Sequence, residues 1–198
     1  MIDFRVPFVL ASGSPRRRNL VSQIIEEVTF DVCDAEEYLI PAESATEAVV
    51  RLAREKAEHV ARRHETALVL GADTVVVLDG AVLGKPVDDE DARHMLARLS
   101  GRAHDVYTGL ALVHAATSRS VTEPVRTRVH FDVLTEREIA EYVQTGSPLD
   151  KAGAYGIQDD SGALFVRGIE GDFFNVVGLP QNRLYRLLAD HFNDLVAS

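Results

Sequence analysis

The chain has 198 residues, of which 46% are hydrophobic and 26% charged, and a formal net charge of −10. This is the composition of a soluble globular protein, and its acidity argues against general affinity for nucleic acid or an anionic membrane surface. Cys33 is the only cysteine, which excludes an internal disulfide and a multi-cysteine zinc site.

No apolar run approaches the ~18 residues of a membrane span. The run Val6–Ala11 is too short for a secretory core and passes straight into arginines, so a cytoplasmic protein is expected. The first expected strand, Phe8–Ala11, leads into Ser12-Gly13-Ser14-Pro15-Arg16-Arg17-Arg18. Ser14 suits an N-cap and Pro15 a first helical position, so a helix is predicted over Pro15–Glu26. Arginines are disfavoured in a first turn, where unpaired N–H groups and the dipole attract anions. Three of them there read either as a solvated basic helix start or as a phosphate site.

A strand is expected at Phe30–Cys33, followed by the acidic pair Glu36-Glu37, whose oxygens suit a hard divalent cation. The helix predicted over Ala45–His64 carries an apolar stripe of Val49, Leu52, Ala53, Ala57 and Val60. Lys56 falls inside that stripe. Its ammonium either snorkels at the stripe's edge or projects into a cleft and meets an anion. Asp73 poses the same problem with the opposite sign, interrupting the long apolar strand Ala67–Leu78. A buried carboxylate must meet a cation, a metal ion or several donors, and Gly71 just before it marks a bulge or a close backbone approach.

Gly84-Lys85-Pro86 forms a turn ahead of the acidic start of a helix at Asp88–Ser100. His104 is read as a hydrogen-bonded core or turn histidine rather than a ligand. Further strands are expected at Val106–Val113, Val125–Val133 and Leu164–Val166, and helices at Thr135–Thr145 and Pro180–Phe192. Alternation over Thr117–Thr135 makes part of the sheet antiparallel. The Gly-rich stretch Gly146–Gly171 is too long for a simple connection. One α/β domain spanning 1–198, with a central mixed sheet flanked by helices and a cleft, is the expected architecture. Neither a Gly-Lys-Ser/Thr phosphate loop nor a dinucleotide fingerprint is present.

In order and spacing these segments resemble the Maf family of nucleoside triphosphate pyrophosphatases. The likeness is carried by Leu10–Arg17, Arg51–Ala57, Gly71–Val76, Gly84–Pro86, Ser100–Gly109, Asp150–Gln158 and Gly171–Pro180. It implies two lobes around a deep nucleotide cleft and metal-dependent hydrolysis of the α–β phosphoanhydride, giving a nucleoside monophosphate and pyrophosphate. On this likeness Ser12, Arg16, Arg17, Lys56 and Lys85 would contact the triphosphate, with Lys85 also part of the catalytic set. Glu37 and Asp73 would hold Mg²⁺ or Mn²⁺ and activate water, and Thr74 and Gln158 would sit near the base. The branch acting on dTTP and UTP is the nearer match, because the N7-methyl-GTP branch tends to carry an aromatic residue where this chain has Arg16. Asp159-Asp160-Ser161 and Phe173-Phe174 depart from the family pattern beside the base. The family also suggests a homodimer. The competing readings are a non-catalytic nucleotide-binding regulator of cell division and a pyrophosphatase for N7-methyl-GTP.

Overall fold

A computed structural model describes residues 1–34, 38, 40, 42–158 and 161–197. The seven strands among these residues are β1 (Phe8–Ala11), β2 (Thr29–Asp31), β3 (Leu68–Leu78), β4 (Ala81–Leu83), β5 (Ala103–His114), β6 (Arg119–Phe131) and β7 (Val166–Glu170). The six α-helices among the described residues are α1 (Pro15–Val21), α2 (Ala45–Ala61), α3 (Asp89–Leu99), α4 (Glu136–Gln144), α5 (Phe173–Val177) and α6 (Gln181–His191). The strands form one sheet in the order β2-β1-β3-β5-β6-β7, with β4 paired to β3. β1 runs parallel to β2 and β3, whereas β3–β4 and β6–β7 are antiparallel, so the sheet is mixed as expected.

The chain divides into two compact units. The first comprises Met1–Asp73, Thr108–Val125 and Gly178–Ser198. Its α2 begins with a capping box, in which Ser44 Oγ accepts from Glu47 N at 3.2 Å and Glu47 Oε2 accepts from Ser44 N at 2.9 Å. The apolar stripe of α2 then packs Ala53, Ala57 and Val60 onto Val9, Ala11, Val69, Ala111 and Val113 of β1, β3 and β5. The approach is unusually close. A Cβ on Gly71 would lie 2.1 Å from Ala53 O, and one on Gly109 would lie 2.1 Å from Val49 O. Only glycine lets these two strands touch the helix backbone.

The second unit comprises Thr74–Tyr107 and Arg126–Val177. There α3 and α4 pack together, and a buried aromatic cluster joins Phe131, Tyr142, Tyr155 and Phe165 to His104.

Several boundaries differ from the expectation. α1 stops at Val21 rather than Glu26, because the N-terminus captures the following residues: Ile2 N donates to Ile24 O and Glu26 N donates to Ile2 O. The strand expected at Leu164–Val166 begins at Val166 instead, and Gly162–Phe165 is a 3-10 turn. The expected strand Phe30–Cys33 is shifted to Thr29–Asp31. β4 and α5 are elements beyond those expected. Asp79 and Gly80 both have positive φ, which closes the β3–β4 hairpin.

Candidate active site

At the end of β1 the chain turns into α1 through a set of short-range hydrogen bonds. Ser12, only 6% exposed, accepts from Ser14 N at 3.2 Å, and Ser14 Oγ caps the helix by accepting from Arg17 N at 3.4 Å. The Arg17 guanidinium folds back. Its Nη1 reaches Ser12 Oγ at 3.5 Å and its Nε donates to Gly178 O at 2.9 Å. Arg16 is half-buried, and Arg18 stacks its guanidinium over the Phe30 ring at 5.2 Å. The three arginines therefore take different roles. Arg17 braces the turn, Arg18 covers an aromatic ring, and Arg16 stands beside them on the first turn of α1. Gly178 as a partner of Arg17 had no local signal, since 161 residues separate them.

The two displaced charges of α2 and β3 meet. Lys56 Nζ donates to Asp73 Oδ1 at 2.7 Å, with Lys56 9% and Asp73 7% exposed. The lysine does not snorkel outward, and the anion it meets is the aspartate of this same chain. The pairing follows from the fold, because Gly71 brings β3 against the α2 backbone two residues ahead of Asp73. β1 and β3 are adjacent and parallel, with Leu10 opposite Leu70. Ser12, just past the end of β1, and Asp73, midway along β3, thus lie close in register on neighbouring strands.

Thr74, Lys85 and Gln158 belong to the second unit. Thr74 is half-buried on β3, and Lys85 is exposed in the turn after β4. Gly84 O accepts from Gly153 N at 3.0 Å, so that turn is tied to the segment ending at Gln158, which is itself exposed. His104 is the core histidine the sequence suggested. Its Nε2 is hydrogen-bonded to the Tyr155 hydroxyl at 2.8 Å, and burial pushes its pKa down to about 4.

Glu36 and Glu37 lie outside the described residues. Described residues on either side of them are hydrogen-bonded. Arg63 grips Asp31 at 3.0 Å, and Arg51 donates to Tyr38 O at 2.9 Å and to Glu43 at 2.8 Å. Among the described residues no three His, Cys, Asp or Glu side chains converge on a metal position. The donor that is present, the Asp73 carboxylate, is a hard oxygen ligand. It fits a cation of the Mg²⁺ type, which is bound through one or two carboxylates and completed by substrate phosphates.

Residues 7–191 match the family described as Maf-like protein. The chain belongs to this family. A dTTP/UTP pyrophosphatase from Salinibacter ruber is 50% identical over 196 residues, covering 99% of this chain and 96% of the relative. One from Myxococcus xanthus is 52% identical over 180 residues, covering 91% of this Maf chain and 90% of the relative. A third, from Halalkalibacterium halodurans, is 48% identical over 187 residues. Among solved structures, the Staphylococcus aureus Ham1 protein superposes with a TM-score of 0.53 at 15% identity, covering 93% of this chain and 98% of that one. That likeness bears on the fold alone, and it supports the mixed α/β architecture.

Proposed function

We propose that residues 1–198 act as one nucleoside triphosphate pyrophosphatase domain, hydrolysing dTTP and UTP to the nucleoside monophosphate and pyrophosphate. The observation that carries this reading is near-full-length identity of 46–52% to relatives that are each named dTTP/UTP pyrophosphatase.

The residue roles follow from the chemistry of the side chains. A triphosphate brings about four negative charges to a protein of net charge −10, so local cations must overcome a general repulsion. Arg16 and Lys85 would supply such cations, and Arg17, whose Nη1 reaches Ser12 Oγ at 3.5 Å, would hold that serine in position. Asp73 orients the attacking water and accepts its proton, a task worth typically ~10²–10⁴-fold in rate. Lys56 fixes that carboxylate in one orientation through the 2.7 Å contact. Water supplies the oxygen that adds to phosphorus, the α–β bridging bond breaks, and the pyrophosphate leaves with the electron pair. Asp73, together with Glu37, would hold a divalent cation (Mg²⁺ or Mn²⁺). When bound, that cation would neutralise charge developing on the phosphates. Gln158 presents a donor and an acceptor on one planar amide, which matches the N3–H and O4 edge of uracil or thymine, and Thr74 leaves room beside it.

We also propose a cytoplasmic location and a homodimer. The first is supported by the lack, among the described residues, of a helix long and apolar enough to cross a membrane. The second rests on the family alone, and light scattering of the purified protein tests it. The reaction is tested by chromatographic identification of products from dTTP. Equimolar dTMP and pyrophosphate are expected, and dTDP with inorganic phosphate would contradict cleavage at the α–β bond.

A further inference from the structure

The segment Lys151–Gln158 is irregular, yet several of its residues are tied down. Gly153 N donates to Gly84 O at 3.0 Å and Ala154 N to Lys151 O at 3.1 Å. Ala154 is fully buried with φ of +61°, a left-handed conformation that a non-glycine residue keeps only where its surroundings over-determine it. Two tyrosine hydroxyls complete the hold. The Tyr155 hydroxyl is bonded to His104 Nε2 at 2.8 Å, and its ring sits against Phe131 with centroids 4.7 Å apart. The Tyr142 hydroxyl accepts from Gly156 N at 3.1 Å. A Cβ on Gly162 would lie 2.7 Å from that hydroxyl and 2.6 Å from Gly156 O, so the chain beyond Gln158 closes back on the same oxygen.

Phenylalanine would fill either ring position as well as tyrosine, and a buried hydroxyl costs free energy unless it has a partner. With Tyr142 1% and Tyr155 5% exposed, neither hydroxyl is available to a substrate. Both act on the chain around them instead. At the end of this segment lies Gln158, which is exposed.

We propose that the Tyr142 and Tyr155 hydroxyls are positioning groups for base selection. They fix Gly156–Gln158 so that the Gln158 amide meets the base in one orientation. The Gly153–Gly84 bond registers the same segment against the turn that carries Lys85. This inference rests on the function proposed above, in which Gln158 reads a pyrimidine edge.

The test is a mutant cycle read as base discrimination. Tyr142→Phe and Tyr155→Phe are made alone and combined with Gln158→Ala, and kcat/KM is measured for dTTP and dATP after a melting curve on each protein. Each phenylalanine variant should lower the dTTP/dATP ratio at least ~5-fold in the native background, the scale of one lost hydrogen bond. In the Gln158→Ala background the same change should move the ratio less than about 2-fold, because the group being positioned is gone. A purely structural role would depress activity on both nucleotides equally, or act additively with Gln158→Ala, and either result overturns the proposal. Should Tyr142→Phe unfold, Tyr155→Phe carries the same expectation. Native protein that prefers neither nucleotide would contradict the proposed base preference itself and this role with it. A native preference that survives both phenylalanine variants overturns the positioning role alone.

Discussion

A carboxylate and an ammonium, each less than one-tenth exposed and 2.7 Å apart, depend on one another. Replacing Lys56 by methionine keeps the stem that packs in the α2 stripe but leaves Asp73 buried without that cation. We expect Lys56→Met to lower stability by ~2 kcal/mol. Adding Asp73→Leu should restore most of that loss while turnover stays at least ~10²-fold down. Urea unfolding beside steady-state kinetics checks both parts, and a double variant with near-native turnover would reduce the pair to a structural ion pair. Each charge was legible in the sequence as a residue out of place. Their pairing was not, because 17 residues and two different elements separate them and only the crossing of helix and strand brings them together. His104 gives a second test at this scale. Burial holds its pKa at about 4, below the ordinary histidine value of 6.5, with Asp105 opposing that shift and His130 adding to it. The unfolded chain therefore binds the extra proton between those values. The contribution of neutral His104 is fully present above pH 6.5 and is lost as pH falls toward 4, up to roughly 3 kcal/mol. His104→Gln should flatten the fall in unfolding free energy over that window. An unchanged pH slope would show that this imidazole titrates normally.

The helices α2 and α4 were legible, and caps announce their starts. Ser44 with Glu47, and Thr135 with Glu138, are capping boxes, and α2 and α4 start where these place them. The β3–β4 hairpin has a local signal in Asp79-Gly80, although β4 itself is only three residues long. The end of α1 was not legible, because the N-terminal residues that pair with Ile24 and Glu26 compete for it from outside the local sequence. The decisive contact between elements is the approach of β3 to α2 at Gly71. A methyl group there would meet Ala53 O at 2.1 Å and Ala57 N at 2.9 Å, both backbone atoms of a helix that cannot give locally. Gly71→Ala should therefore cost at least ~3 kcal/mol or abolish folding, and in any folded fraction it should displace Asp73 from Lys56. A melting temperature within about 2 °C of the native protein would mean that helix and strand part without penalty.

For the molecule as a whole, an acidic chain that takes a polyanion must rely on a small number of cations, its own or bound. Activity should therefore require Mg²⁺ or Mn²⁺ and vanish after dialysis against a chelator, returning on re-addition of the metal. Undiminished hydrolysis in excess chelator would contradict a metal-dependent reaction. At this scale the sequence was most informative about family, since the matching segments run through nearly the whole chain in order. The expected cation ligand Glu37 lies outside the described residues. The central claim is that this Maf chain is a pyrophosphatase selective for dTTP and UTP. It is tested most directly by pyrophosphate release across dTTP, UTP, ATP, GTP and N7-methyl-GTP, compared as kcat/KM. An amide that pairs with one base edge and not another supports discrimination of at least ~10-fold, so dTTP and UTP should lead the panel by that margin. N7-methyl-GTP in first place would contradict the substrate assignment, and no pyrophosphate from any nucleotide would contradict the enzyme itself.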